Sequence, residues 1–238
     1  MELDILAIGA HPDDVEISAA GTLILHKRKG YKTGVIDLTK GEMGTRGNSK
    51  IRAKESIDAS KVLGLDTRIN LNFRDGFIQN NESHQLQLIQ YIRLFKPKII
   101  LCNAENDRHP DHRKTAELVK DASFLSGLRK IITKHKGKIQ TPWRPNNIYF
   151  YIQYQYLKPD IIVDVSAHHN DKMKAIKAHR SQFFDPDSNE PETIISKKNF
   201  LAKIIARDQE FARSIHTDFA EGFTSFRTIV TNNLLTLI

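Results

Sequence analysis

The sequence predicts an α/β fold: a single Rossmann-like domain with a mostly parallel sheet and helices on both faces. Three observations carry this expectation. Short apolar runs alternate with longer amphipathic stretches, four such pairs follow one another from the first residues, and the runs Leu3 to Gly9 and Lys98 to Cys102 read as buried strands.

Leu3 to Gly9 reads as a buried strand and Glu16 to Lys29 as the helix that follows it. Lys32 to Leu38 is the next strand, Lys50 to Leu63 a helix, Thr67 to Leu71 a short strand and Glu82 to Phe95 a helix that Pro97 stops. Lys98 to Cys102 is a further buried strand. In the helix expected at His112 to Arg129, apolar residues recur at Ala116, Val119, Ala122 and Leu125. The second half leaves this rhythm, with strands at Asn147 to Tyr154 and Ile161 to Val165, then helices at Asp171 to Phe183 and Lys198 to Ser214. Asp185 to Pro191 is a polar, proline-bearing loop between those helices. No repeat or long linker divides the chain, so one domain over residues 1–238 is expected.

Composition narrows the function classes. With 238 residues, 39% hydrophobic and 27% charged, the chain suits a globular protein rather than a disordered or fibrous one. Its longest apolar stretches, Ile5 to Ala10 and Ile99 to Cys102, are far shorter than the roughly 18 residues of a membrane span. The acidic start Met1-Glu2-Leu3-Asp4 is unlike a secretory signal, and the one cysteine, Cys102, closes an apolar run; a cytoplasmic location is expected. The net charge of +8 favours anionic partners, but no zinc finger, RNP motif or basic zipper supports nucleic-acid binding. A small anionic substrate accounts for it as well.

Ligands of open parallel sheets bind beyond the carboxyl ends of the strands. Two clusters stand there: Ala10-His11-Pro12-Asp13-Asp14 after the first strand and Asp107-Arg108-His109-Pro110-Asp111-His112 after the fourth. Imidazole and carboxylate are zinc ligands, and a catalytic zinc takes three protein ligands. His11, Asp14 and His112 can supply them, leaving Asp13 and His109 to move protons. Either cluster alone also reads as a turn whose aspartate caps the next helix, with Asp13 or Asp14 serving the first and Asp111 the second. Two clusters at equivalent strand ends favour the metal site.

This paired motif resembles the LmbE/PIG-L family of zinc-dependent N-acetylglucosamine deacetylases. Further stretches share the resemblance, among them Gly41 to Gly47, Asp75-Gly76, Val163 to Ser166, Ser181-Gln182-Phe183 and Ala220 to Phe223. The Gly-Glu-Met-Gly-Thr-Arg-Gly loop and the Ser-Gln-Phe segment look most like the branch that deacetylates N-acetylglucosaminyl malate in bacillithiol biosynthesis. The resemblance implies zinc on His11, Asp14 and His112, general-base duty for Asp13, and His109 as partner acid oriented by Asp111. It also implies substrate contacts from Arg52, Arg108 and Arg144, and assembly into a homo-oligomer, often a hexamer. Amide hydrolysis fits these roles, since zinc lowers the pKa of water towards ~7 and polarises the carbonyl.

Several residues take the blander reading. His168, His169 and His216 are expected at the surface, and the Tyr149 to Tyr151 run is expected to pack in the core, with Gln153 and Tyr154 ending near the pocket. Gly41 to Gly47 is either a lid or a pair of turns. The alternatives to a malate-conjugate deacetylase are the same chemistry on another glucosaminide, a bacillithiol-conjugate amidase, and a non-enzymatic sugar- or nucleotide-binding module. The last lacks support, because Gly9 to Asp14 has no glycine-rich phosphate loop and its two acids would repel a pyrophosphate.

Overall fold

The structure is a computed structural model that describes residues 1–231 and residue 233. Residues 232 and 234–238 of the expected domain lie outside the described ones. In the first half, β1 (Ile5–Gly9), α1 (Asp14–Arg28), β2 (Thr33–Thr39), α2 (Ser49–Leu63), β3 (Thr67–Phe73), α3 (Glu82–Phe95), β4 (Ile99–Asn103) and α4 (Pro110–Leu125) follow the predicted alternation. A two-residue hairpin, β5 (Lys134–His135) with β6 (Lys138–Ile139), then precedes β7 (Asn147–Tyr151), β8 (Ile161–Asp164), α5 (His169–Ala178), α6 (Phe200–Arg213) and β9 (Ala220–Ser225).

One seven-stranded sheet has the order β3-β2-β1-β4-β7-β9-β8. From β3 to β7 all neighbours pair in parallel, while β9 lies antiparallel between β7 and β8. The central strands are apolar on both faces because both are covered. Leu6, Ile8, Ile36, Leu38, Ile100 and Phe150 pack on Leu88, Ile92, Ala116 and Val119 of α3 and α4. Their neighbours Ile5, Ala7, Val35 and Leu101 face Val15, Ala19 and Leu23 of α1. Ala20 and Ile24 on α1 meet Leu63 of α2 and Ala175 of α5, so α1 is buried on two sides. No helix of the described residues is long and apolar enough to cross a membrane.

The sheet order reverses at β1: the chain leaves it for β2 on one side and later returns to β4 on the other. That reversal opens a crevice at the carboxyl ends of β1 and β4, where the two clusters meet. Several elements depart from the sequence expectation. The strand β9 and the β5–β6 hairpin are absent from it, β7 ends at Tyr151 rather than Tyr154, α4 starts at Pro110 rather than His112, and α5 ends at Ala178 rather than Phe183. Pro110 fits the first helical turn, where its missing N–H costs nothing. His169 is buried, stacked on Phe219 with ring centroids 3.7 Å apart and 3.3 Å from Asp208, which corrects its expected surface place.

Candidate active site

The turn after β1 aims its two aspartates differently. Asp13 occupies the N-cap position of α1 at φ 114°, a left-handed conformation unusual for a residue with a side chain, and its carboxylate caps nothing. Instead Asp13 Oδ2 faces Arg52 Nη2 at 3.3 Å. The Arg52 guanidinium is itself anchored, donating to the carbonyls of Gly41 and Pro12 at 2.9 and 2.7 Å. Gly41 is glycine for that reason: a Cβ there would lie 1.8 Å from Arg52 Nη1. Burial pushes the Asp13 carboxyl up to about 6, against the pull of Arg52.

Asp14 points the other way, between two imidazoles. Its Oδ1 is 3.2 Å from His112 Nε2, and its Oδ2 is 3.4 Å from His11 Nδ1. Three donors fix the carboxylate: the His11 N–H at 2.9 Å, Asn103 Nδ2 at 3.1 Å and Gln153 Nε2 at 2.7 Å. His112 is oriented through its other nitrogen, with Nδ1 2.9 Å from Asp107 Oδ2. This carboxylate–imidazole pairing sets the tautomer that leaves Nε2 facing the crevice. Burial pulls the His112 ring down, but Asp14 and Asp107 outweigh it and hold the ring up at about 9.

His109 is the N-cap of α4, and its Nδ1 accepts the Asp111 N–H at 3.3 Å. The expectation that the Asp111 carboxylate orients His109 is therefore corrected: the backbone of Asp111 does so. The Asp111 carboxylate is taken up elsewhere, accepting the Gly76 N–H at 2.7 Å and lying 3.5 Å from His11 Nε2. Nor does Asp111 or Asp13 cap a helix through its side chain. Without a carboxylate on its ring, His109 is held below the ordinary imidazole value by burial and by the charges of His11 and His112.

Arg108 also lines the crevice, with its guanidinium 4.7 Å above the Tyr154 ring and no carboxylate partner among the described residues. Arg144 does not. It donates to the Phe124 carbonyl at the carboxyl end of α4, about 20 Å from the end bearing His112 by the rise of the helix. The Gly41 to Gly47 loop borders the crevice and is tied down, since Met43 N–H donates to Asp75 and Gly47 N–H to Glu190. Asp75, Asp107, Asn103 and Gln153 were not assigned roles from the sequence. The signals that pointed to them were the shared Asp75-Gly76 stretch, the place of Gln153 past the end of a strand, the polar end of the strand at Asn103 and the Asp107 to His112 spacing.

His11, His109 and His112 can bring ligand atoms within 4.8 Å of one another, and so can His11, Asp75 and Asp111. His11 Nε2 is buried and has no aligned hydrogen-bond partner, although Asp75 Oδ1 is 3.0 Å away. An orphaned imidazole nitrogen among carboxylates and a second imidazole is a donor set that fits a divalent metal. The crevice encloses about 540 Å³, enough for a small sugar conjugate.

A family described as PIG-L, GlcNAc-PI de-N-acetylase, matches residues 6–123, which span both clusters. Diacetylchitobiose deacetylase of Thermococcus kodakarensis is 27% identical over 189 residues, covering 75% of this chain and 70% of its own. The probable N-acetyl-alpha-D-glucosaminyl L-malate deacetylase 2 of Bacillus anthracis is 25% identical over 203 residues, covering 76% and 82%. Among solved structures, the conserved protein TT1542 from Thermus thermophilus is 34% identical, with a TM-score of 0.85 over 96% of this chain and 97% of its own.

Proposed function

The chain belongs to the PIG-L family of deacetylases, and from that premise we propose that it is a zinc-dependent hydrolase removing the N-acetyl group from an N-acetylglucosaminyl conjugate, specifically N-acetylglucosaminyl malate. The observation that carries the reading is the divergence of the adjacent aspartates: Asp14 lies between His11 and His112, while Asp13 is buried, braced by Arg52 and free of any capping bond. His11, Asp14 and His112 would hold the metal. When bound, zinc supplies Lewis-acid polarisation of the amide carbonyl and acidifies water towards ~7.

The chain's own groups handle the protons. Asp13, with a carboxyl pushed up to about 6, is matched to accept the proton of the attacking water near neutral pH. His109, whose Nδ1 takes the Asp111 N–H, carries its proton on Nε2. From there it can hydrogen-bond the oxygen on which charge develops, while the proton that Asp13 takes from the water passes on to the leaving nitrogen. Arg52 positions Asp13, because its donors are engaged by Gly41 and Pro12. Arg108 remains for a substrate carboxylate, which a guanidinium binds through two parallel hydrogen bonds. Arg144 has no place in this reading, given its distance from the crevice.

The likeness to a diacetylchitobiose deacetylase favours a second substrate reading, a neutral chitobiose-type glucosaminide. Acetate release from N-acetylglucosaminyl malate, N,N′-diacetylchitobiose and methyl N-acetylglucosaminide separates the two. A higher kcat/KM for the malate conjugate supports the proposal, and a higher value for diacetylchitobiose replaces it. The reading also takes the enzyme as cytoplasmic and homo-oligomeric, hexameric by family resemblance, which light scattering of the purified protein checks.

A further inference from the structure

A second cavity of about 390 Å³ adjoins the catalytic crevice, and Ile17, Arg108, His112, Gln153 and Ile195 line both. Its own walls are different in kind. Ile152, Phe200, Ile204 and Phe211, all buried, form an apolar lining between the end of β7 and α6. Tyr154 and Tyr156, both exposed, stand at its edge. The proposed reaction leaves this space unexplained, because an acetyl methyl is too small for it and a sugar ring would leave the buried Ile152, Phe200, Ile204 and Phe211 without an apolar partner.

The charges around the cavity are unequal. Arg207 is engaged by Asp208 and by the carbonyls of Gln153 and Ile17, and Glu210 is paired with Arg213 at 2.7 Å. Lys203 and Arg108 remain, and neither has a carboxylate partner among the described residues. An apolar pocket with two uncompensated cations complements a ligand that is apolar along its body and anionic at one end.

We propose that this cavity is the aglycone subsite, and that over neutral glycosides the enzyme prefers N-acetylglucosaminides whose aglycone has an alkyl or aryl body ending in an acid group, read by Lys203 and Arg108. The inference rests on the deacetylase reading and deepens it. A longer N-acyl chain is the rival occupant, but such a chain is neutral and would leave both cations unmatched. Malate itself supplies the acid without the apolar body, so it would use the cations and leave Phe200, Ile204 and Phe211 uncovered.

The test compares kcat/KM, read as free amine formed, for the 6-carboxyhexyl, hexyl and methyl glycosides of N-acetylglucosamine, with the N-hexanoyl methyl glycoside, which releases hexanoate, as the rival. The 6-carboxyhexyl glycoside is expected to exceed the methyl glycoside by at least about tenfold, equivalent to roughly 1.4 kcal/mol. Lys203→Glu, at an exposed position, should reduce the ratio of carboxyhexyl to hexyl, and Ile204→Trp should reduce the ratio of hexyl to methyl. Circular dichroism confirms that each variant is folded, and Lys203→Glu alone decides if Ile204→Trp is not. Equal values for the carboxyhexyl and methyl glycosides, a ratio unmoved by Lys203→Glu, or faster cleavage of the N-hexanoyl compound each overturn the subsite. Cleavage of the methyl glycoside without any preference removes only this inference; cleavage of N-acetylglucosaminyl malate alone removes the subsite and leaves the deacetylase reading, whereas no cleavage of any of these compounds or of N-acetylglucosaminyl malate removes both.

Discussion

Asp13 and Asp14 are neighbours in sequence with opposite surroundings, and the backbone separates them. A residue at φ 114° sends its side chain away from the helix it precedes, so Asp13 reaches Arg52 while Asp14, one residue into α1, reaches the imidazoles. Asp13→Asn should retain metal, measured by metal analysis of the purified protein, and lose about 10²–10⁴-fold in kcat, the usual range for a missing general base. Loss of metal along with activity would make Asp13 a ligand. A second substitution probes the carboxylate behind His112. Asp107→Asn should weaken zinc binding by roughly 10–100-fold in a chelator competition, because the ring loses the partner that orients it. That two clusters of histidines and aspartates around prolines meet in one crevice was legible in the sequence. The partner of His109 was not, because a helix-capping ring and a carboxylate-held ring have the same sequence, and only the backbone geometry separates them.

At the level of elements, the first half was legible because its strands and helices obey simple periods, and α3 was expected with the bounds it has, Glu82 to Phe95. The strand β9 was not, because Ala220-Glu221-Gly222-Phe223 carries a charge and a glycine where a central strand should be apolar. Glu221 is buried all the same: it accepts the Gly21 and Thr22 N–H groups of α1 at 2.9 and 2.7 Å and pairs with Lys172. Sequence patterning cannot show an ion pair closed by residues some fifty apart. The same junction explains Gly21, in the middle of α1. Replacing a mid-helix glycine by alanine normally stabilises by about 0.5–1 kcal/mol. Here the new Cβ would lie 2.7 Å from Val165 Cβ, so Gly21→Ala should instead destabilise by about 1–2 kcal/mol, read as a lower midpoint in denaturant unfolding.

For the whole molecule, the buried ion cluster that joins α5, α6 and β9 ties the back of the domain together. Lys172 is fully buried between Asp208 at 2.6 Å and Glu221 at 2.9 Å. Burial pushes Asp208 up, yet Lys172 and Arg207 hold its carboxyl well below the usual carboxylate range. A carboxyl whose folded value is depressed stabilises above its unfolded value, near ~3.9, and that stability is lost as pH falls through the folded value. Asp208→Asn should cost about 3 kcal/mol at pH 7 and flatten the fall in stability below about pH 4, which urea titrations at both pH values would measure. A loss equal at all pH values would remove the ionic explanation. The α/β fold itself was legible from the first four strand–helix units, and with it the meeting of both clusters at the β1–β4 crevice. The apolar cavity beside that crevice was not, because its walls come from β7 and α6, far apart in sequence. The central claim, metal-dependent deacetylation at His11, Asp14 and His112, is tested most directly by acetate release from N-acetylglucosaminyl malate as chelator-stripped protein is titrated with zinc. The account predicts no release from the stripped protein and a return of activity that saturates at one zinc per chain. Full activity in the stripped protein, or activity that returns in His112→Ala as it does in the native chain, would contradict it.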